Sequence, residues 1–129
     1  MCIRDSDSRT RPTWPCIHEM SLWLGRNYAH KDTLVGFNKG GTIEAAGIKV
    51  TMVRAEHSSG ELFGGAESPI YLGEPVGFIV ELEDGFRFYF AGDTDVFGDM
   101  KLIGRKAIDG WNRSPISFMS PNTSVSPAK

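Results

Sequence analysis

A chain of 129 residues is long enough for one domain with a real core, and one domain is the working count. Its 14 basic and 16 acidic side chains leave a net charge of -2, which offers neither the basic field of a nucleic-acid partner nor a polybasic membrane signal. The 40% hydrophobic and 11% aromatic content is that of a globular fold, and no apolar run approaches the roughly 20 residues of a membrane-spanning helix.

The opening stretch, MCIRDSDSRTRPTW, is polar, shows neither helical nor strand periodicity and lacks the apolar centre of a secretory signal. Residues 1–14 are read as a disordered or foreign leader, and the domain is expected over 15–129, with 110–129 only weakly patterned. Cys2 and Cys16 are widely spaced and form no CxxC pair, so neither a disulfide framework nor a cysteine zinc knuckle is indicated, and a reducing cytoplasm fits best. From Pro15 the chain changes character: Ile17, Met20, Trp23 and Leu24 recur at helical spacing, with Pro15 in the first turn and Gly25 as a stop. The Gly40-Gly41 turn leads into a strand over 42–45, a turn at Ala46-Gly47, and a second strand over 48–55 with Ile48, Val50 and Met52 on one face, which together make a β-hairpin.

Residues 56–75 hold four glycines and two prolines and read as a long loop, of the length that is usually functional or disordered. Strands follow over 76–82 and 86–91, joined by the hairpin signal Asp84-Gly85. Val96, Met100, Ile103 and Ala107 then fall at helical spacing and predict a helix lying on the sheet.

Two of these strands end in a group able to bind a cation. VTMVRAEHSS places His57 just past one strand end and FYFAGDTD places Asp93 just past another, which suggests one shared rim. An imidazole nitrogen and a carboxylate together make a plausible half of a site for a borderline metal such as zinc, and Gly92 would allow close backbone approach. The residues alone leave other readings open. His57 also reads as a loop residue, and Thr94 and Asp95 read best as N-caps of the following helix. His18 and His30 are taken as surface or packing residues. Ser58 and Ser59 lie in no G-x-S-x-G elbow, and Gly40-Gly41 lacks the Lys-Ser/Thr of a phosphate loop.

In NKGGTIEAAGIKVTMVRAEHSS, YLGEPVGFIVELEDGF and FAGDTDVFGDMKLIG the chain resembles the metallo-β-lactamase superfamily, and within it the UPF0173 group of metal-dependent hydrolases, from about Ile17 to Gly104. The resemblance implies an α/β fold, an αββα sandwich of mostly antiparallel strands with metal ligands on loops at one edge. It matches His57 to a histidine ligand and Asp93 to a metal-bridging aspartate with a catalytic role, and it makes the aromatic run from Phe86 to Phe90 a buried rod that holds Asp93. The implied activity is hydrolysis of an ester, amide or phosphoester on a small-molecule substrate, using up to two divalent ions, zinc before manganese.

The resemblance breaks at both ends. The family's His-x-His-x-Asp-His run is absent upstream of the first helix, and the tail PISFMSPNTSVSPAK carries no histidine. The chain is therefore expected to be a fragment with an incomplete metal site and little activity of its own. The alternative is a non-catalytic interaction module, whose uncovered sheet edges would favour a homo-oligomer.

Overall fold

The computed structural model describes residues 12–27, 31–65 and 67–107. His30, most of the expected leader and the weakly patterned tail lie outside them. Strands β1 (Trp14–Ile17) and β2 (Leu34–Phe37) pair in parallel and are joined through helix α1 (His18–Asn27). β3 (Thr42–Ala45), β4 (Ile48–Arg54), β7 (Val76–Glu81) and β8 (Arg87–Phe90) form an antiparallel sheet in that spatial order. Between β4 and β7 the chain makes a two-residue pairing of β5 (Gly60–Glu61) with β6 (Ile70–Tyr71), and helix α2 (Met100–Ala107) closes the described region. This is a mixed α/β fold with mostly antiparallel strands. No helix among the described residues is long and apolar enough to cross a membrane.

The sheet's register follows from its side chains. Thr42 and Thr51 sit opposite one another and share a hydroxyl hydrogen bond of 2.8 Å. Glu81 faces Lys49 on one neighbour and Arg87 on the other, at 3.2 and 2.5 Å, which fixes three strands at one level. The hydrogen bond from Arg87 is the main cause that holds the Glu81 carboxyl below its ordinary range, with that from Lys49 second. Alternation along β4 buries Val50 and Met52, and Met52 has no exposed surface at all.

The two faces of the sheet are covered differently. On one, Ile79, Tyr89 and Ala91 pack with Ile103 and Ala107 of α2, with Val53 and Phe97 beside them. On the other, Phe78 meets Phe37 of β2 at a ring-centroid distance of 6.4 Å. β2 in turn carries α1 on its far side at Gly36, where any added Cβ would collide with the Ser21 side chain. The layers therefore run α1, β1–β2, the four-stranded sheet, α2.

Four expectations need correction. Trp14–Ile17 is a strand where a helix was expected from Pro15, and α1 starts at His18, because pairing with β2 decides the conformation that local spacing suggested. β2 itself was not anticipated. α2 begins at Met100, leaving Val96 outside it and 81% exposed. The aromatic run is no buried rod: Tyr89 is buried, while Phe86 and Phe90 are 53% and 40% exposed. β8 is an edge strand with period-2 side chains, so only its α2-facing side is fully covered.

Candidate metal centre

β4 and β8 both run antiparallel to β7, so their C-terminal ends emerge at the same edge, where β7 begins. That topology brings together two residues 36 positions apart in sequence: His57 Nε2 lies 3.2 Å from Asp93 Oδ2. The two loops are clipped to each other just beside the pair. The Glu56 amide donates to Thr94 Oγ1 at 2.8 Å and the Asp95 amide donates to the Glu56 carbonyl at 3.0 Å. Thr94 and Asp95 are thus not caps of α2, as was expected; Thr94 ties the Asp93 loop to the His57 loop. The third loop at this edge is anchored too, by the Ala55 amide on the Pro75 carbonyl at 3.3 Å.

The turn after β8 needs a left-handed residue, and Gly92 supplies it with φ +66°. The close backbone approach expected of this glycine is not seen, since a Cβ added there would meet nothing nearer than the Val76 carbonyl oxygen at 3.9 Å; it is the dihedral that calls for glycine.

The imidazole is oriented from behind. His57 Nδ1 lies 3.0 Å from the Ser58 carbonyl oxygen, with the Ser58 hydroxyl at 3.4 Å. A carbonyl oxygen only accepts, so Nδ1 carries the hydrogen. Nε2 then faces the Asp93 carboxylate either with a second proton or with a lone pair. A lone pair facing a carboxylate is repulsive unless a cation sits between them. Two donors on one tetrahedral zinc lie roughly 3.3 Å apart when each is about 2.0–2.1 Å from the ion, close to the 3.2 Å seen here. The nitrogen–oxygen donor set therefore suits a borderline divalent cation. Both side chains are accessible, with 45% and 73% exposure. No group of three or more His, Cys, Asp or Glu residues able to hold a metal occurs among the described residues.

Below the pair lies a cleft of about 460 Å³ that reaches from His57, Ser58 and Asp93 down to Cys16, Met20 and Phe78. Sequence reasoning missed it, since β1 and α1 form one wall and neither had been placed there. Cys16 is buried, and desolvation pushes its thiol above the ordinary range, which keeps it protonated and unreactive. His18 is the exposed first residue of α1. Glu74, at the rim, is ion-paired with Lys39.

The strand ends of β4 and β8 thus bring a histidine and an aspartate to one point at the edge of the sheet, with α1 and α2 on the two outer sides. The beta-lactamase superfamily domain matches residues 2–111, so the chain belongs to that superfamily. Curated relatives include UPF0173 metal-dependent hydrolases of Roseiflexus castenholzii, 41% identical over 102 residues that make up 79% of this chain and 41% of the relative, and of Herpetosiphon aurantiacus, 48% identical over 68% of this chain and 36% of the relative. One from Rubrobacter xylanophilus reaches 57% over 52% of this chain and 27% of its own length. The chain thus spans about two fifths or less of the relatives it matches.

Proposed function

We propose that this chain contributes part of a metal-dependent hydrolase site, in which His57 and Asp93 hold a divalent cation, zinc in preference to manganese. The observation that supports it best is the back-bonded imidazole, whose Nδ1 hydrogen is committed to Ser58 and whose Nε2 is aimed at a carboxylate 3.2 Å away. A bound divalent cation lowers the pKa of water towards neutrality and polarises the bond to be cleaved. Asp93 has a second carboxylate oxygen free to accept a proton from the attacking water. The water oxygen joins the acyl or phosphoryl centre, the bond to the leaving group breaks, and the proton passes by way of Asp93 to the departing oxygen or nitrogen. The relatives are named as hydrolases of this kind, which supports the same reading.

Titration of the purified chain with zinc against a chromogenic chelator tests this. Weak binding is expected, because two protein donors fall short of the usual three of a catalytic zinc. His57→Ala and Asp93→Ala should each lower affinity about tenfold or more, and His57→Ala should abolish any hydrolysis that EDTA also removes. Zinc bound equally well by both variants would defeat the assignment.

A second reading, the non-catalytic module, draws on the outer edge of β8, which no described strand pairs, and on the exposed Phe86 and Phe90. Under that reading the chain would associate without metal.

A further inference from the structure

Resting on the hydrolase reading, we propose that the substrate class is an uncharged carboxylic ester or amide with an apolar acyl part, bound in the cleft below His57 and Asp93 in preference to a phosphoester. The cleft, at about 460 Å³, has the size of a small-molecule site. One end is polar and carries the His57–Asp93 pair with Ser58 and Ser59. The remainder is walled by Ile17 of β1, Met20 of α1, Leu72 of the loop before β7, and Val76 and Phe78 of β7. Ile17 and Leu72 are only 6% and 9% exposed, so the wall is held by the surrounding fold.

Charge decides the class. Among the described residues lining the cleft there is no lysine or arginine; the charged groups other than His57 are the carboxylates of Asp93 and Glu74. Lys39 is engaged by Glu74 at the rim. A phosphomonoester or diester brings at least one negative charge close to the Asp93 and Glu74 carboxylates, and oxygens turned away from the His57–Asp93 pair would face an apolar wall or another carboxylate. Burying them there is unfavourable. A neutral carbonyl makes no such demand, and the serine hydroxyls at the polar end can donate to it. An acyl chain extending down the wall gains roughly fourfold in affinity for each methylene buried.

The test uses three probes on the full 129-residue chain: octanamide, acetamide and octyl phosphate, titrated calorimetrically with and without zinc. Octanamide should bind at least tenfold more tightly than either of the others. Met20→Asp should remove that advantage while leaving the zinc titration unchanged. If Met20→Asp does not fold, Met20→Ala should weaken octanamide severalfold. Octyl phosphate binding as tightly as octanamide, or octanamide binding that is indifferent to both Met20 variants, overturns the proposal. The zinc titration reports on the hydrolase reading separately. Zinc held through His57 together with a preference for octyl phosphate sinks only the substrate class. A preference for octanamide without zinc binding at His57 supports the class of ligand and sinks the hydrolase.

Discussion

Asp93 owes its position to the glycine before it. At φ +66° Gly92 turns the chain from β8 towards His57, and an added Cβ would meet nothing closer than the Val76 carbonyl oxygen at 3.9 Å. Alanine there has space but the wrong dihedral, at a cost of about 1–2 kcal/mol. Gly92→Ala should therefore lower the denaturation midpoint and weaken zinc severalfold, whereas Gly40→Ala, with φ +86° and open space, should cost similar stability and leave zinc untouched. Equal zinc affinity in the two variants would show that the turn does not set the site. Tyr89 makes a different prediction. Burial against α2 raises its phenol above the ordinary value of 10.0, so the folded state favours the neutral form. The contribution of the neutral phenol is complete below pH 10.0 and is lost as pH climbs through the raised value. Denaturant midpoints should fall in that alkaline range, and less steeply in Tyr89→Phe; parallel slopes would rule Tyr89 out as the cause. His57 and Asp93 could be picked out in the sequence because each follows a recognisable strand. The Glu56–Thr94 bond that aligns them could not, because it spans 38 residues and leaves no local pattern.

Between β4 and β7 the chain makes an excursion whose two ends both line the cleft: Ser58 and Ser59 enter it, and Leu72 and Gly73 leave it. The Leu72 amide closes the base by donating to the Ser59 carbonyl at 3.2 Å, beside the β5–β6 pairing. Farther out, the segment touches the rest of the molecule through Phe63, whose ring lies 4.2 Å from that of Trp23 on α1. Phe63→Ala should free this segment, so limited proteolysis between 61 and 69 should accelerate several-fold while cleavage elsewhere stays as slow as before. An unchanged pattern would mean that the Trp23 contact does not restrain it. Turn chemistry explains why some elements were legible and others not. The β3–β4 and β7–β8 hairpins announce themselves through Ala46-Gly47 and Asp84-Gly85, whose glycines have φ +79° and +83°. β1 has no such mark: Pro15 reads as a helix start, and the strand exists only through its parallel partner 20 residues away. The glycine-rich excursion looked like pure loop because β5 and β6 are two residues each.

At the scale of the whole molecule, layering dictates which surfaces stay open. Alternate residues of β8 face α2 and are covered, as Tyr89 is, while among the described residues the opposite face of the sheet is covered where β1–β2 reaches it, as at Phe37 and Phe78. Phe86 and Phe90 lie beyond that reach on the same side, with Leu82 also 37% exposed. The two hairpins of the main sheet could be read from alternation and turns, while the α/β class came with the family resemblance and the β4–β7 pairing that joins the hairpins had no local signal. The open face could not, because an aromatic run predicts burial and says nothing about whether a covering layer extends far enough. Among the described residues β8 also lies at the end of the sheet, with no described strand paired to its outer backbone edge. An apolar patch next to an open strand edge favours association. Sedimentation velocity should accordingly show the chain's mean mass rising with concentration, independently of zinc. The double change Phe86→Lys, Phe90→Lys should restore a single monomeric species, because charge on the edge strand opposes pairing and the two side chains contribute little to the covered core. A wild-type chain that stays monomeric at every concentration would mean that the exposed phenylalanines and the strand edge are tolerated in water, and the interaction-module reading would lose its physical basis.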